Sequence, residues 1–168
     1  SEGLAGTARV GSVTDGAVAF VVPAIQQLKK TATGADIHVD VAPSDALVEG
    51  LFRGEYDFVL SRIPPSYDKR QLEVRPGRHE DICFITRAGH PLAQNPTAPL
   101  EQLAAYEWVV QAPQTPLREA VESVFVSAGV DLPVDIVNTT SMLVMISYLA
   151  SSDALAPTPR PVADLFVA

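Results

Sequence analysis

The chain has 168 residues, of which 47% are hydrophobic and 19% charged, and its formal net charge is −8. This length suits one globular domain or two small lobes, and it is enough to bury a core. An acidic chain without a cluster of lysine and arginine is a poor candidate for gripping a nucleic-acid backbone by itself. No run of about 18 uncharged apolar residues occurs, so the sequence predicts no membrane span.

The first half of the chain alternates between predicted strands and predicted helices. The strands are ARVGSV (8–13), ADIHVDVA (35–42), YDFVLS (56–61) and QLEVRP (71–76). In the second strand, Ile37, Val39 and Val41 alternate with polar residues, which is typical of a strand with one buried face. A helix with period 3.6 follows the first strand, and Pro23 within it predicts an irregular first turn. Ser44 is predicted to cap the next helix.

The second half repeats this alternation. Its predicted strands are EDICFITR (80–87), EWVVQA (107–112), VDIVNT (134–139) and DALAP (153–157). Thr115 and Pro116 are predicted to open a helix as N-cap and first residue, and Gly129 to end it. Shorter helices are predicted over 100–106 and after the polar run Asn138–Ser141. The order of these elements predicts an α/β architecture rich in parallel strands.

The elements fall into two groups, which predicts two α/β lobes. Lobe I is assigned to residues 1–80 and lobe II to 81–158, with 159–168 as a segment returning toward lobe I. Two crossings between lobes would form a hinge, and a cleft between lobes is where a ligand would sit.

Short polar residues cluster where predicted strands lead into helices. In α/β sheets ligands lie outside the carboxyl ends of the strands, where helix N-termini offer free N–H groups. Each residue has the alternative of being an ordinary cap, which needs a single side chain. The four-residue run before Met142 exceeds that need, so it is the strongest candidate for a ligand contact. The candidates are Thr14, Asp15, Ser44, Thr115, Asn138, Thr139, Thr140 and Ser141.

Signals of catalysis or metal binding are weak. The sequence has no nucleophile elbow, phosphate-binding loop or dinucleotide fingerprint, and His38, His79 and His90 lie in separate elements. We therefore expect no enzyme activity, cofactor or metal site, and structural or solvent-facing histidines. Arg62, directly after a strand, could clamp a carboxylate or could be solvated.

Three other residues carry interpretations of their own. Arg118 near the start of a helix is a second arginine of interest. Trp108 at a strand start is predicted to be in the core. Cys83 is the only cysteine and is predicted to be a small core residue, so no internal disulfide can form. A chain without disulfides fits a reducing compartment.

Four segments together resemble the effector-binding domain of LysR-type transcriptional regulators. The segment VDVAPSDALVEGLFRGEYDFVLSR is similar to the family's L-x-x-G-x-x-D region, with Leu51, Gly54 and Asp57 in place. RAGHPLA is similar to its HPLA loop, at 90–93. The other two are GTARVGSVTDGAVAFVVPAIQQLKK and NTTSMLVMISYLASSDALAP. The resemblance covers nearly all of residues 5–165, and within the family it leans toward regulators that respond to sugars such as galactose.

The resemblance implies a periplasmic-binding-protein-like fold of type 2, with two Rossmann-like lobes, a hinge and an effector in the interlobe cleft. It implies a sugar, sugar acid or small organic acid as effector, and a neutral polyol or a hydroxy acid fits both Asp15 and Arg62. The family's inducer-contacting positions match Thr14, Ser44, Arg62, Gln111, Thr115 and Thr139–Ser141.

The resemblance also implies a cytoplasmic protein that forms a homodimer or tetramer. Head-to-tail pairing would set helix 17–30 and strand 37–41 against the partner's helix 116–128 and strand 134–138. In the family, an N-terminal winged helix-turn-helix domain binds DNA. That domain is expected to be absent from this chain, so the chain would contact DNA only through it in the full regulator. Lobe I is expected to be truncated. The alternatives are an extracytoplasmic solute-binding protein, which shares the two-lobe design, and a small α/β enzyme.

Overall fold

A computed structural model describes residues 6–77, 81–113 and 115–167. The chain divides into two compact units, residues 1–79 and 80–168. Unit 1 contains a three-stranded sheet in the order β2-β1-β3, formed by β1 (Thr7–Ser12), β2 (Asp36–Val41) and β3 (Phe58–Leu60). Both neighbours of the central β1 run parallel to it, as the predicted strand-helix alternation requires.

The helix after β1 is irregular, as Pro23 predicts. It consists of α1 (Thr14–Gly16), a π-helical stretch (Ala17–Val21) and α2 (Val22–Lys29). Pro23 has no N–H to donate to the carbonyl of Ala19, so regular α-helical bonding cannot run through this segment. The next helix is α3 (Ser44–Phe52), and the chain then turns at Gly54, whose φ of 74° suits glycine.

The strand predicted over 71–76 is wrong. Residues Lys69–Gln71 form a 3-10 turn and 72–77 have no regular structure. The Asp68 carboxylate accepts hydrogen bonds from the backbone N–H of Arg70 and from its guanidinium, at 3.0 Å for the backbone bond. This local turn chemistry outweighs the apolar alternation of Leu72 and Val74.

Unit 2 contains two pairs of strands. The strands β4 (Ile82–Ile85) and β7 (Ala156–Pro159) are antiparallel, and β5 (Trp108–Val110) and β6 (Ile136–Asn138) are parallel. A bridge between Trp108 and Leu155 links the pairs. The helices are α4 (Leu100–Ala104), α5 (Pro116–Ala128), α6 (Met142–Ala150) and α7 (Arg160–Asp164).

The core of unit 2 lies on both sides of β5, because successive strand residues point to opposite faces. On one side Trp108 packs edge-on against Phe125 of α5, with ring centroids 5.1 Å apart. On the other side Val109 packs with Met145 and Leu149 of α6. Trp108 is 2% exposed, which confirms its predicted place in the core. Cys83 is half-buried on β4.

The two histidines within the described residues have structural or solvent-facing positions, as predicted. His90 is buried, its Nε2 lies 2.8 Å from the Asp153 carbonyl, and its Nδ1 accepts from the Leu92 N–H at 2.9 Å. These partners require a neutral ring with the proton on Nε2. His38 is exposed beside Asp36, and His79 lies outside the described residues.

Across the described ranges, the helices are all too short or too polar to cross a bilayer.

Candidate functional site

In unit 1, Thr14 and Asp15 are the first two residues of α1, directly beyond β1. Val13 occupies the N-cap position and no described side chain caps this helix, so its first-turn N–H groups have no capping partner in the described part of the chain. A Cβ on Gly16 would lie 2.8 Å from Ser12 Oγ and 3.2 Å from Leu60 Cβ. Glycine therefore lets the helix start lie close against β1 and β3, and this holds Thr14 and Asp15 at the end of the sheet. Both residues are half-buried.

The expectation that Ser44 caps α3 is wrong. Pro43 is the N-cap, Ser44 is the first helical residue, and none of the described side chains caps this helix. The Ser44 hydroxyl instead accepts a hydrogen bond from the backbone N–H of Arg62 at 3.2 Å. Ser44 is buried, and a buried polar group without a hydrogen-bond partner is costly. The bond gives both the Ser44 hydroxyl and the Arg62 N–H a partner. The bond brings two sequence-predicted site residues together at the end of β3.

In unit 2, Thr115 is the N-cap of α5 with Pro116 next, as predicted, but its hydroxyl does not cap. It donates instead to the Ala112 carbonyl at 3.0 Å, which closes the turn between β5 and α5. Among the described residues, no side chain therefore caps the start of this helix, and Gly129 ends it in the left-handed conformation at φ 69°.

In the polar run before α6, some side chains hydrogen-bond the backbone at the helix start and one does not. Ser141 is the N-cap, and its hydroxyl accepts from the Val144 N–H at 3.3 Å. Thr139 Oγ1 accepts from the Ser141 N–H at 3.0 Å, while its own N–H donates to the Val110 carbonyl at 2.9 Å. Within the described residues, the exposed Thr140 makes no side-chain hydrogen bond. Hydrogen bonds to the backbone thus account for the hydroxyls of Ser141 and Thr139, but not for that of Thr140.

Arg118 of α5 connects the ends of β5 and β6. Its guanidinium donates to the Gln111 carbonyl at 3.2 Å, to Asn138 Oδ1, and to Glu122 Oε1 at 2.7 Å. Its side chain is only 14% exposed. The sequence singles out Arg118 but predicts no hydrogen-bond or ion-pair partner for it. The spacing of four residues to Glu122 on one helix was the available signal for the ion pair.

The structure therefore brings the unit 2 candidates together. Gln111, Thr115, Asn138 and the run 139–141 lie at the carboxyl ends of β5 and β6, which are paired through Val110 and Asn138. A mainly apolar cavity of about 110 Å³ lies beneath, between α5 and the sheet. It is lined by Trp108, Val110, Arg118, Val121, Glu122, Leu132, Pro133, Ile136 and Pro157. No group of three or more metal-ligating side chains occurs among residues 6–77, 81–113 and 115–167.

Comparison with known sequences points to one family. The family described as LysR substrate binding domain matches residues 1–168. The HTH-type transcriptional regulator GbpR of Rhizobium radiobacter is 34% identical over 166 residues, which are 99% of this chain and 55% of that protein. The HTH-type transcriptional regulator GalR of Pseudomonas putida is 29% identical over 155 residues, 91% of this chain and 38% of that protein. The chain spans about half the length of the curated relatives it matches.

Solved structures agree on the fold. The effector-binding domain of QuiR in complex with shikimate matches with a TM-score of 0.73 at 15% identity, covering 93% of this chain and 74% of that one. The Synechocystis CcmR regulatory domain in complex with 2-PG matches with a TM-score of 0.74 at 18% identity, covering 93% and 73%. The predicted α/β fold of the type 2 periplasmic-binding-protein class is confirmed.

Proposed function

Because this chain belongs to the LysR substrate-binding domain family, we propose that it senses a small polar effector for a bacterial LysR-type transcriptional regulator. The observation that carries this proposal is the pair of relatives named HTH-type transcriptional regulators GbpR, which match 99% and 98% of the chain at 34% and 30% identity. Relatives named as regulators favour this function over that of an extracytoplasmic solute-binding protein.

The charge of the chain supports a sensing rather than a DNA-reading role. With 12 basic and 20 acidic residues, this part of the regulator offers little attraction to phosphate. We expect DNA to be bound by a separate helix-turn-helix domain of the full regulator. We expect a regulator of transcription to act in the cytoplasm and to have no enzymatic activity of its own.

We assign the effector contacts to two groups of residues, one in each unit. The unit 1 group is Thr14, Asp15, Ser44 and Arg62. The unit 2 group is Gln111, Thr115 and Asn138–Ser141. The starts of α1, α3 and α5 support the assignment, since no described side chain caps them and their N–H groups can serve a polar ligand. Thr140 supports it most directly, because its hydroxyl serves no other described residue.

Sugars, sugar acids and small organic acids are the effector classes that fit these groups. Asp15 accepts hydrogen bonds from hydroxyls and repels an anion, whereas Arg62 attracts one. The likeness to GbpR and GalR supports the sugar-responsive subgroup. The structural neighbour in complex with shikimate adds a hydroxylated carboxylic acid to the molecules worth testing.

The test is a thermal-shift and calorimetric screen with D-galactose, D-galactonate, shikimate and benzoate. A ligand at 100 times its dissociation constant should add about 2.7 kcal/mol of stability. Thr140→Val and Thr14→Val each remove one hydroxyl and should weaken binding by about 1–3 kcal/mol. Ser123→Ala, on the exposed side of α5, is the matched control. Unchanged affinity in both threonine variants would contradict the assignment of contacts.

Self-association is part of the same proposal. The edge strand β2 exposes Val39 and Val41, and α5 exposes Val124 and Val126. Apolar side chains on an edge strand and a helix surface are typical of faces that a second copy covers. We expect a dimer or tetramer, and sedimentation equilibrium at tens of micromolar should give a mass above 17.9 kDa. A monomer throughout would contradict it.

A further inference from the structure

The contact between Arg118 and Asn138 fixes which way the Asn138 side chain faces. A guanidinium group carries only donors, so the atom it contacts must be the carbonyl oxygen of the amide. Asn138 Oδ1 is the acceptor in the structure, as this chemistry requires. The same guanidinium is held by Glu122 and by the Gln111 carbonyl, so it has little freedom to turn away.

The orientation leaves the other half of the amide free. With Oδ1 turned toward Arg118, the Nδ2 group points away from it because the amide is planar. Asn138 is exposed, and its Nδ2 donates to none of the other described residues. The ion pair with Glu122 also neutralises Arg118 locally, which makes the arginine a poor direct clamp for an anion. The feature offered at the end of β6 is therefore a pair of N–H donors.

We propose that Arg118 is a positioning residue that holds Asn138 as a hydrogen-bond donor, so that the effector atom opposite Asn138 is an acceptor oxygen. This inference rests on the proposed effector site, and it restricts which chemical groups of an effector can lie next to Asn138. A carboxylate, a carbonyl or an ether oxygen of a sugar ring meets the requirement. A group that can only donate, such as an ammonium, does not.

The test uses small probes and the Asn138 side-chain N–H signals in the nitrogen-15 NMR spectrum. Dimethyl sulfoxide is neutral and only accepts hydrogen bonds, acetate is a charged acceptor, and methylammonium only donates. At constant ionic strength we expect dimethyl sulfoxide and acetate to shift the Asn138 signals saturably, and methylammonium to leave them in place. Saturable shifts with methylammonium alone, or with none of the three probes, would overturn the inference.

Two variants separate positioning from charge. Arg118→Lys keeps the positive charge but loses the planar guanidinium, which bonds Glu122 through Nε while its Nη1 donates to Gln111 and Asn138. We expect it to weaken the dimethyl sulfoxide response about tenfold, as for one lost hydrogen bond. Asn138→Asp keeps an acceptor for Arg118 and removes the donor, so the protein should stay folded while saturable chemical-shift changes in the neighbouring Thr139 and Thr140 amides disappear. Full retention of the response in both variants would refute the role of Arg118.

The outcome is distinguishable from failure of the effector site itself. Thr140→Val should reduce binding of whichever screened compound binds, but it should leave the dimethyl sulfoxide shifts at Asn138 intact. Loss of effector affinity in Thr140→Val with no Asn138 response would uphold the site and reject the donor role. The converse pattern would uphold the donor role and reject the wider assignment of contacts.

Discussion

The two units of the chain differ in the size of their cores: among the described residues, unit 2 buries twelve apolar side chains and unit 1 buries six. Unit 2 holds two clusters that sandwich β5, and Val109, Phe125 and Leu155 in them are at most 1% exposed. In unit 1 the best buried are Leu47 and Val48, at 0% and 2% exposed. Both units leave other large apolar side chains exposed, such as Phe58 at 51% in unit 1 and Leu143 at 79% in unit 2. The difference shows that an apolar strand pattern fixes which residues can be buried, while the elements packed on each face decide which of them are.

The strand β2 shows this most clearly. Alternation of Ile37, Val39 and Val41 predicts one buried face, yet Val39 is 37% and Val41 is 56% exposed. Both lie at the edge of the described three-stranded sheet, paired only with β1. Burial in unit 1 is therefore concentrated around β1 and the start of α3.

The largest effect is expected from the core of unit 2. Phe125→Ala removes a ring that is 1% exposed and packed against Trp108, so it should lower the free energy of unfolding by about 3–5 kcal/mol. Ser127→Ala, at an exposed side chain of the same helix that is not one of the valines proposed for self-association, is the control and should change it by about 0.5 kcal/mol or less. Urea unfolding followed by Trp108 fluorescence measures both. Equal losses would abolish the distinction between core and surface in α5.

The corresponding change in unit 1 is expected to cost less. Leu47→Ala removes a fully buried side chain next to Gly11 of β1, but leucine is smaller than phenylalanine, so fewer packing contacts are lost. A loss of about 2–3 kcal/mol, at the low end for such substitutions, should follow. Far-UV circular dichroism, which reports both units, measures it. A loss as large as that of Phe125→Ala would show that unit 1 is as tightly packed as unit 2.

A smaller effect separates two neighbours at the start of α6. Ser141→Ala removes the N-cap hydrogen bond to Val144 and should cost about 1 kcal/mol of stability. Thr140→Val, without a described partner, should leave the melting temperature of the ligand-free protein nearly unchanged. Differential scanning calorimetry of the two variants decides the matter. A larger loss in Thr140→Val would make the whole run structural.

The smallest effect concerns pH. Burial raises the pKa of the Cys83 thiol above its ordinary value of about 9. As the pH rises above about 9, the unfolded chain loses this proton first, so the stabilising contribution present at lower pH declines. Urea unfolding at pH 8 and pH 10 should show a smaller decline for Cys83→Ala than for the native chain. An identical decline would exclude the thiol as a cause.

The sequence was sufficient for most elements because their signals are local. Pro116 and Gly129 bound α5 as predicted, and Pro23 marks the irregular helix. It failed at 71–76, where the Asp68 turn competes with a strand pattern. It also failed at Ser44, because the partner of that hydroxyl is 18 residues away and belongs to another strand end.

The candidate site follows the same division. Strand-to-helix junctions located Thr14, Thr115 and the run before α6. The role of Arg118 could not be read from its neighbours in sequence, since one of its three acceptors lies 20 residues away on β6. Long-range polar contacts of this kind depend on strand pairing, which periodicity alone does not determine.

The π-helical stretch Ala17–Val21 has a consequence for aligning this chain with its relatives. A π turn holds one residue more than an α turn, and one residue added or removed rotates a helix by about 100°. Deletion of a residue there would therefore turn Thr14 and Asp15 to another side of the axis relative to α2. Suppose a relative lacks one residue in this stretch and the alignment places the gap after Val21 instead. Residues paired in that alignment would then be chemically similar but would face different sides of the helix.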